Sequence, residues 1–193
     1  MRITMTDEKT TTIPMIYQLK ITLKDSKPPI WRRIQVKDDT TLYTLHQILQ
    51  IAMGWTNSHL HQFIADGVHY GEPDPDYGFE MVDEKRSRLK EIVHEVKNKC
   101  IYEYDFGDGW DHELLLEKIL EPQAKTRYPR CLTGKRHCPP EDIGGVWGYR
   151  TFLEALRDAD HPEHDDYLEW VGEAFDPEAF DVDEVNRELE QIQ

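Results

Sequence analysis

The stretch CIYEYDFGDGWDHELLLEKIL, residues 100–120, decides the fold class. Residues 100–106 alternate as a strand, Gly107-Asp108-Gly109 turns the chain, and residues 110–120 return as a second, longer strand. Two glycines supply positive φ at the turn and the aspartate suits it. The string Asp105-Phe106-Gly107 matches a protein-kinase metal signature, but no His-Arg-Asp catalytic loop and no glycine-rich loop with a strand lysine accompany it. The physical content of the stretch is a hairpin, and a hairpin this long calls for an antiparallel sheet.

Toward the N-terminus, residues 15–24 alternate, with Tyr17, Leu19, Ile21 and Leu23 opposed to Gln18, Lys20 and Thr22. Pro28 and Pro29 mark a turn. Alternation resumes over 30–36, with Ile30, Ile34 and Val36 opposed to Trp31, Arg33 and Gln35. Thr40 or Thr41 is placed to cap a helix whose Leu42, Leu45, Ile48, Leu49 and Ala52 recur at three and four residues, and Gly54 is placed to end it. Residues 59–70 form a second hairpin around Asp66-Gly67. Residues 71–80 are a loop by glycine and proline content, and a short helix follows near Leu89. The polar, threonine-rich residues 1–13 read as a frayed end, and 14–193 as one domain.

Beyond the hairpin, residues 121–148 carry four prolines, four glycines and two of the three cysteines, which predicts a long irregular connection. Three helices are expected after it, over 152–158, 165–172 and 181–193, with apolar residues spaced to pack on the sheet. Strands with one early helix and a cluster of acidic helices at the end make an α+β domain with an antiparallel or mixed sheet.

The formal charge of −15 is local: residues 154–193 hold 15 acids against two bases, so −13 of it sits in the last 40 residues. A face of this kind repels nucleic acid and membrane headgroups and suits a basic protein partner. No apolar run is long enough for a membrane span, and no signal-peptide pattern opens the chain, so a cytoplasmic protein is expected.

Among motifs, DPDYG at 74–78 resembles the start of a calcium loop but lacks the ligand, the glycine and the glutamate required further on. The Cys/His set His112, Cys131, His137 and Cys138 is the candidate zinc site, since thiolate with imidazole selects that ion and a metal would staple a loop poor in apolar residues. The cysteines are wider apart than in usual zinc motifs. His59, His61 and His69 gather around the second hairpin and read as hydrogen-bonded strand residues. Asp105, Asp108, Asp111 and Glu113 cluster on the first hairpin without a nucleophile beside them. KPPIWRR, residues 27–33, offers Trp31, Arg32 and Arg33 for stacking and phosphate contact. With Asp105, Asp108 and Trp110 these complete the candidate binding residues.

YQLKITLKDSKPPIWRRIQV, TLYTLHQILQIAMGWTNSHLHQF, YEYDFGDGWDHELLLEKI, CPPEDIGGVWGYRTFLEAL and HPEHDDYLEWVGEAFDPEAFD together resemble the plasmid ORF-three-like family, first named from a root-inducing plasmid. Members are also described as transposon passenger proteins of a TnpR type. The resemblance spans roughly 14–190 and implies one α+β domain that includes the acidic helices, with an association to mobile elements. A serine recombinase is not implied, because Ser26, Ser58 and Ser87 lie in unsuitable contexts and no basic helix-turn-helix is visible.

Lacking a complete catalytic constellation, the chain reads first as a non-catalytic interaction or accessory module, leaning against an enzyme. The alternative is a metal-site or hydrolase-like protein. It would use the groove between the DFGDGW hairpin and the 131–145 loop, with His112, Cys131 and Cys138 as ligands and Asp108 or Asp111 as acid/base. A weak nucleic-acid binder acting through KPPIWRR is the third.

Overall fold

In the computed structural model, which describes residues 13–73, 80–172 and 175–192, the 100–120 hairpin lies at the centre of one eight-stranded sheet. The strands are β1 Ile16–Leu23, β2 Trp31–Lys37, β3 His61–Ala65, β4 Val68–Gly71, β5 Val82–Asp83, β6 Lys99–Tyr104, β7 Trp110–Leu120 and β8 Arg130–Lys135. Their order is β5-β4-β3-β6-β7-β1-β2-β8. The pairings are antiparallel except β4 with the two-residue β5, so the sheet is mixed. Five helices accompany it: α1 Leu42–Met53, α2 Leu89–Ile92, α3 Gly145–Arg157, α4 His164–Val171 and α5 Val182–Leu189. The calcium-loop lookalike at 74–78 and the stretch 1–12 lie outside the described residues.

Strand alternation sorts the sheet into two faces. Tyr17, Leu19, Ile21, Ile34, Val36, Tyr102, Leu114 and Leu116 are buried on one, where Leu42, Leu45, Ile48, Leu49 and Ala52 of α1 join the same core. Each fully buried Leu or Ile contributes about 1.5–3 kcal/mol, so this shared face is the main source of stability. Thr41 caps α1 by accepting from the Thr44 N–H at 3.1 Å, and Gly54, at φ +99°, closes it in the left-handed conformation that glycine adopts without strain. The opposite face carries cross-strand charge pairs. Arg33 is bidentate to Glu117 at 2.7 and 2.9 Å, Lys24 meets Asp111 at 2.9 Å, and Lys99 meets Glu113 at 2.9 Å.

Arg32 belongs to the buried face. It is 2% exposed and donates to five backbone carbonyls: Ala52 and Met53 at the end of α1, Trp31 on its own strand, and Lys135 and Arg136 beside β8. Phe180 stacks on the guanidinium at 4.2 Å. The carbonyl end of a helix is the negative end of its dipole, so Arg32 both caps α1 and ties it to the sheet edge. Arg32 is thus absent from the surface and Arg33 is paired. The expected basic patch of KPPIWRR therefore does not form, although Trp31 keeps Lys20 and Arg33 over its ring at 5.6 and 5.2 Å.

Residues 121–148 depart from the expected irregular connection, since they contain β8 and the start of α3. β8 is an edge strand with Cys131 alone fully buried, which erases its alternation. α3 starts seven residues before the expected position because its first turn, Gly-Val-Trp-Gly, reads as loop. The glycines there are required by packing: a Cβ on Gly145 would lie 2.5 Å from the Asp108 carbonyl oxygen, and one on Gly148 would lie 1.8 Å from that of Ile143. The acidic helices sit near the sheet only in part. α5 contacts β8 and α1, whereas α3 and α4 contact each other and α4 has no fully buried residue. No helix among the described residues is long and apolar enough to cross a membrane.

Candidate metal centre

The β3–β6 pairing places His61 opposite Tyr104, so the residues just before β3 and just after β6 emerge at the same end of the sheet. The Asp105 N–H donates to the Leu60 carbonyl at 2.9 Å and fixes this junction. Asp105 adopts φ +57°, and its Oδ1 accepts from the N–H groups of Gly107 and Asp108 at 2.9 and 3.3 Å. This Asx turn takes up one carboxylate oxygen and aims the other, Oδ2, at His59. Asp108 in turn accepts from the Gly144 N–H at 3.1 Å, which anchors the loop before α3 and brings Glu141 and Asp142 to the same place.

The result is a convergent donor set. From His59 Nε2, Asp142 Oδ1 lies at 3.3 Å, Asp105 Oδ2 at 3.7 Å and Glu141 Oε2 at 3.7 Å. Donors of His59, Asp105 and Asp142 all fall within 4.8 Å of one another, the single such group of three or more among the described residues. Ligands about 2.1 Å from a common ion are separated by about 3.0–3.4 Å, so the His59–Asp142 pair already has that spacing and the pairs of His59 with Asp105 and Glu141 would close by a few tenths of an ångström around an ion. His59 Nε2 and Glu141 Oε2 are both shut off from solvent and have no hydrogen-bond partner. Buried polar atoms are nearly always satisfied, and a cation between these two would satisfy both. The Asp105 side chain is 9% exposed and Asp142 is 73% exposed, so the cluster is closed from inside and open on one side.

The Glu141 carboxylate is positioned by its other oxygen. Oε1 accepts from the Thr56 N–H at 2.8 Å, the Thr56 hydroxyl at 2.9 Å and the Tyr104 hydroxyl at 3.1 Å. Burial pushes the Tyr104 phenol up, which keeps it an O–H donor. The loop bearing His59 is held by a ring of buried groups. Gln50 Nε2 donates to the Tyr102 hydroxyl, which leaves that hydroxyl to donate to His46 Nδ1. His46 Nε2–H then donates to Asn57 Oδ1, and the Asn57 N–H returns to Gln50 Oε1, each at 2.8 Å. His46 stacks on His61 at 3.4 Å, and His61 meets the buried Glu84 at 2.8 Å. Burial, with His61 beside it, holds the His46 imidazole down to about 4 and hence neutral.

The four residues selected for zinc do not come together. His112 is fully buried with both nitrogens engaged, Nδ1–H donating to the Tyr102 carbonyl at 3.2 Å and Nε2 accepting from the Trp55 indole at 3.3 Å. His137 Nδ1 is turned to its neighbour's carbonyl, that of Cys138, at 2.6 Å. Cys131 and Cys138 are buried thiols, both pushed up by burial despite the Arg32 guanidinium. Of the candidate binding residues, Asp105 enters the donor set, Asp108 braces it and Trp110 packs in the core against Trp55. Asp111 faces the other side of the sheet and pairs with Lys24. His61 and His69 are hydrogen-bonded to Glu84 and Gln62. Glu141 and Asp142 were not among the sequence candidates. The signal for them was an adjacent acid pair before Ile-Gly-Gly in the same loop.

A protein of Sinorhizobium fredii called uncharacterized protein y4hQ is 40% identical to this chain over 182 residues, covering 93% of each. The crystal structure of a protein of unknown function, MM3350 from Methanosarcina mazei Go1, is similar at TM-score 0.81 and 41% identity, covering 89% of this chain and 98% of that one. Residues 15–184 match the family described as plasmid pRiA4b ORF-3-like protein. The chain belongs to the plasmid pRiA4b ORF-3-like family.

Proposed function

We propose that the chain is a divalent-cation protein, with His59, Asp105, Glu141 and Asp142 as ligands and an outer coordination position left for an exogenous molecule. The observation that carries this is the pair of solvent-excluded, unpartnered atoms, His59 Nε2 and Glu141 Oε2, 3.7 Å apart, with Asp105 and Asp142 beside the same imidazole. One imidazole with carboxylates suits manganese, iron(II) or zinc better than the all-thiolate preference of softer sites. An ion there would polarise a bound oxygen or lower the pKa of a bound water, the chemistry of metal-assisted hydrolysis. This keeps the groove proposed for a hydrolase-like reading and replaces its ligands. Cobalt(II) titration of chelator-treated protein tests it. Visible absorption bands that saturate at one equivalent and vanish in His59→Ala support the site, and a featureless titration removes it.

The acidic helices support a second role, docking of a basic partner. α4 presents Asp165, Asp166, Glu169 and Trp170 to solvent, a surface fitted to lysine or arginine side chains. Recovery of the same partners by the wild type and by a chain with these three acids neutralised would count against that role.

A further inference from the structure

We infer that the molecule held at this cation is a nucleoside phosphate, its phosphate on the ion and its base on Trp147; this rests on the cation reading above. Helix α3 begins three residues after Asp142 and is locked to the hairpin of Asp105 by the Gly144–Asp108 hydrogen bond and the side-chain-free contact at Gly145. Its first turn therefore stands beside the cluster. That turn has a glycine cap and carries no acidic residue of its own, and the Gly144 N–H at the cap is taken up by the Asp108 carboxylate.

The same turn bears Trp147, which at 72% exposure is the most exposed tryptophan among the described residues. Arg150, one turn on, lies 4.5 Å over its ring. Phe106, directly after Asp105, is 41% exposed. A large indole left in water in the first turn of α3 serves packing poorly, whereas aromatic faces stack on bases regardless of base identity. Arg150 adds a cation for a second phosphate oxygen while rigidifying the ring. The mark of a ligand at this place is the donor set of the cation reading, with Asp105 nine-tenths buried and its Oδ2 3.7 Å from the unpartnered His59 Nε2.

The test uses the full chain loaded with manganese(II), with binding followed by calorimetry and by phosphorus-31 relaxation. AMP is expected to bind roughly tenfold or more tighter than ribose 5-phosphate, the preference that one stacked base supplies. Trp147→Ala should abolish that preference and leave manganese affinity unchanged, and Arg150→Ala should weaken both phosphates. Equal binding of the two phosphates, or a preference that survives Trp147→Ala, overturns the proposal. Manganese loading without phosphate binding also overturns it while leaving the ion site standing. Failure to load manganese removes both. Tighter binding of a short oligonucleotide than of AMP would put single-stranded nucleic acid in place of the nucleotide.

Discussion

His46 and His112 sit at 2% and 0% exposure and are both locked in the neutral form by their hydrogen bonds. For His112 a second proton on Nε2 would face the Trp55 N–H. For His46 a proton on Nδ1 would displace the Tyr102 hydroxyl. Burial holds both imidazoles down to about 4, whereas an unfolded chain takes up these protons near 6.5. Between those values the unfolded state binds more protons than the folded one, so stability is full above about pH 6.5 and falls as the pH drops toward 4. Below both values the two states are protonated alike and the loss levels off. Each histidine contributes about 3 kcal/mol to this loss, and both together about 6 kcal/mol. That is comparable with the entire stability of many domains. Urea unfolding at constant ionic strength should give about 4 kcal/mol less stability at pH 5 than at pH 7. The slope near pH 5 should be about 2.4 kcal/mol per pH unit in wild type, about twice that in His46→Gln, since one titrating group would remain. A flat profile between pH 7 and pH 5, or an unchanged slope in His46→Gln, would refute the assignment of neutral, committed imidazoles.

Replacing Arg32 by Met leaves five carbonyls short of a donor and uncaps α1, and chemical denaturation should show a loss of about 3–5 kcal/mol. Glu117→Gln, which disturbs the part-exposed Arg33 pair on the open face, should cost no more than about 1 kcal/mol in the same assay. Gly148→Ala forces α3 off Ile143, so it should destabilise by about 1–3 kcal/mol or more and weaken cation affinity, read by calorimetry, by moving Asp142. Cys131→Ser and Cys138→Ser should leave cation affinity within twofold of wild type, since neither thiol lies in the donor set.

The central sheet was legible because its strands obey a period of two with one buried face, and α1 because its leucines and isoleucines recur at helical spacing between Thr41 and Gly54. The edge strand β8 and the first turn of α3 were not, since one buries a single cysteine and the other uses its glycines for close contact at Gly145 and Gly148 as well as for the positive φ of Gly144 and Gly145. Strand parity places Arg32 with Ile30, Ile34 and Val36. The adjacent arginine, tryptophan and prolines suggest a surface patch, and only the α1 carbonyls explain why a guanidinium can occupy the core. The cation cluster escaped for a different reason. His59 lies before β3, where alternation ceases, and its partners come from a hairpin end and a loop about 46 and 82 residues away in sequence, joined by the Asp108–Gly144 contact. Cysteine spacing drew attention to the right loop and to the wrong side chains in it.

Calorimetric titration of manganese(II) or zinc(II) into chelator-treated protein reads the ion site itself. One saturable ion per chain is expected, with affinity reduced at least about tenfold in His59→Ala and in Asp105→Asn, each a loss of about 1.4 kcal/mol or more. No saturable binding, or stoichiometric binding that survives both substitutions, would contradict it.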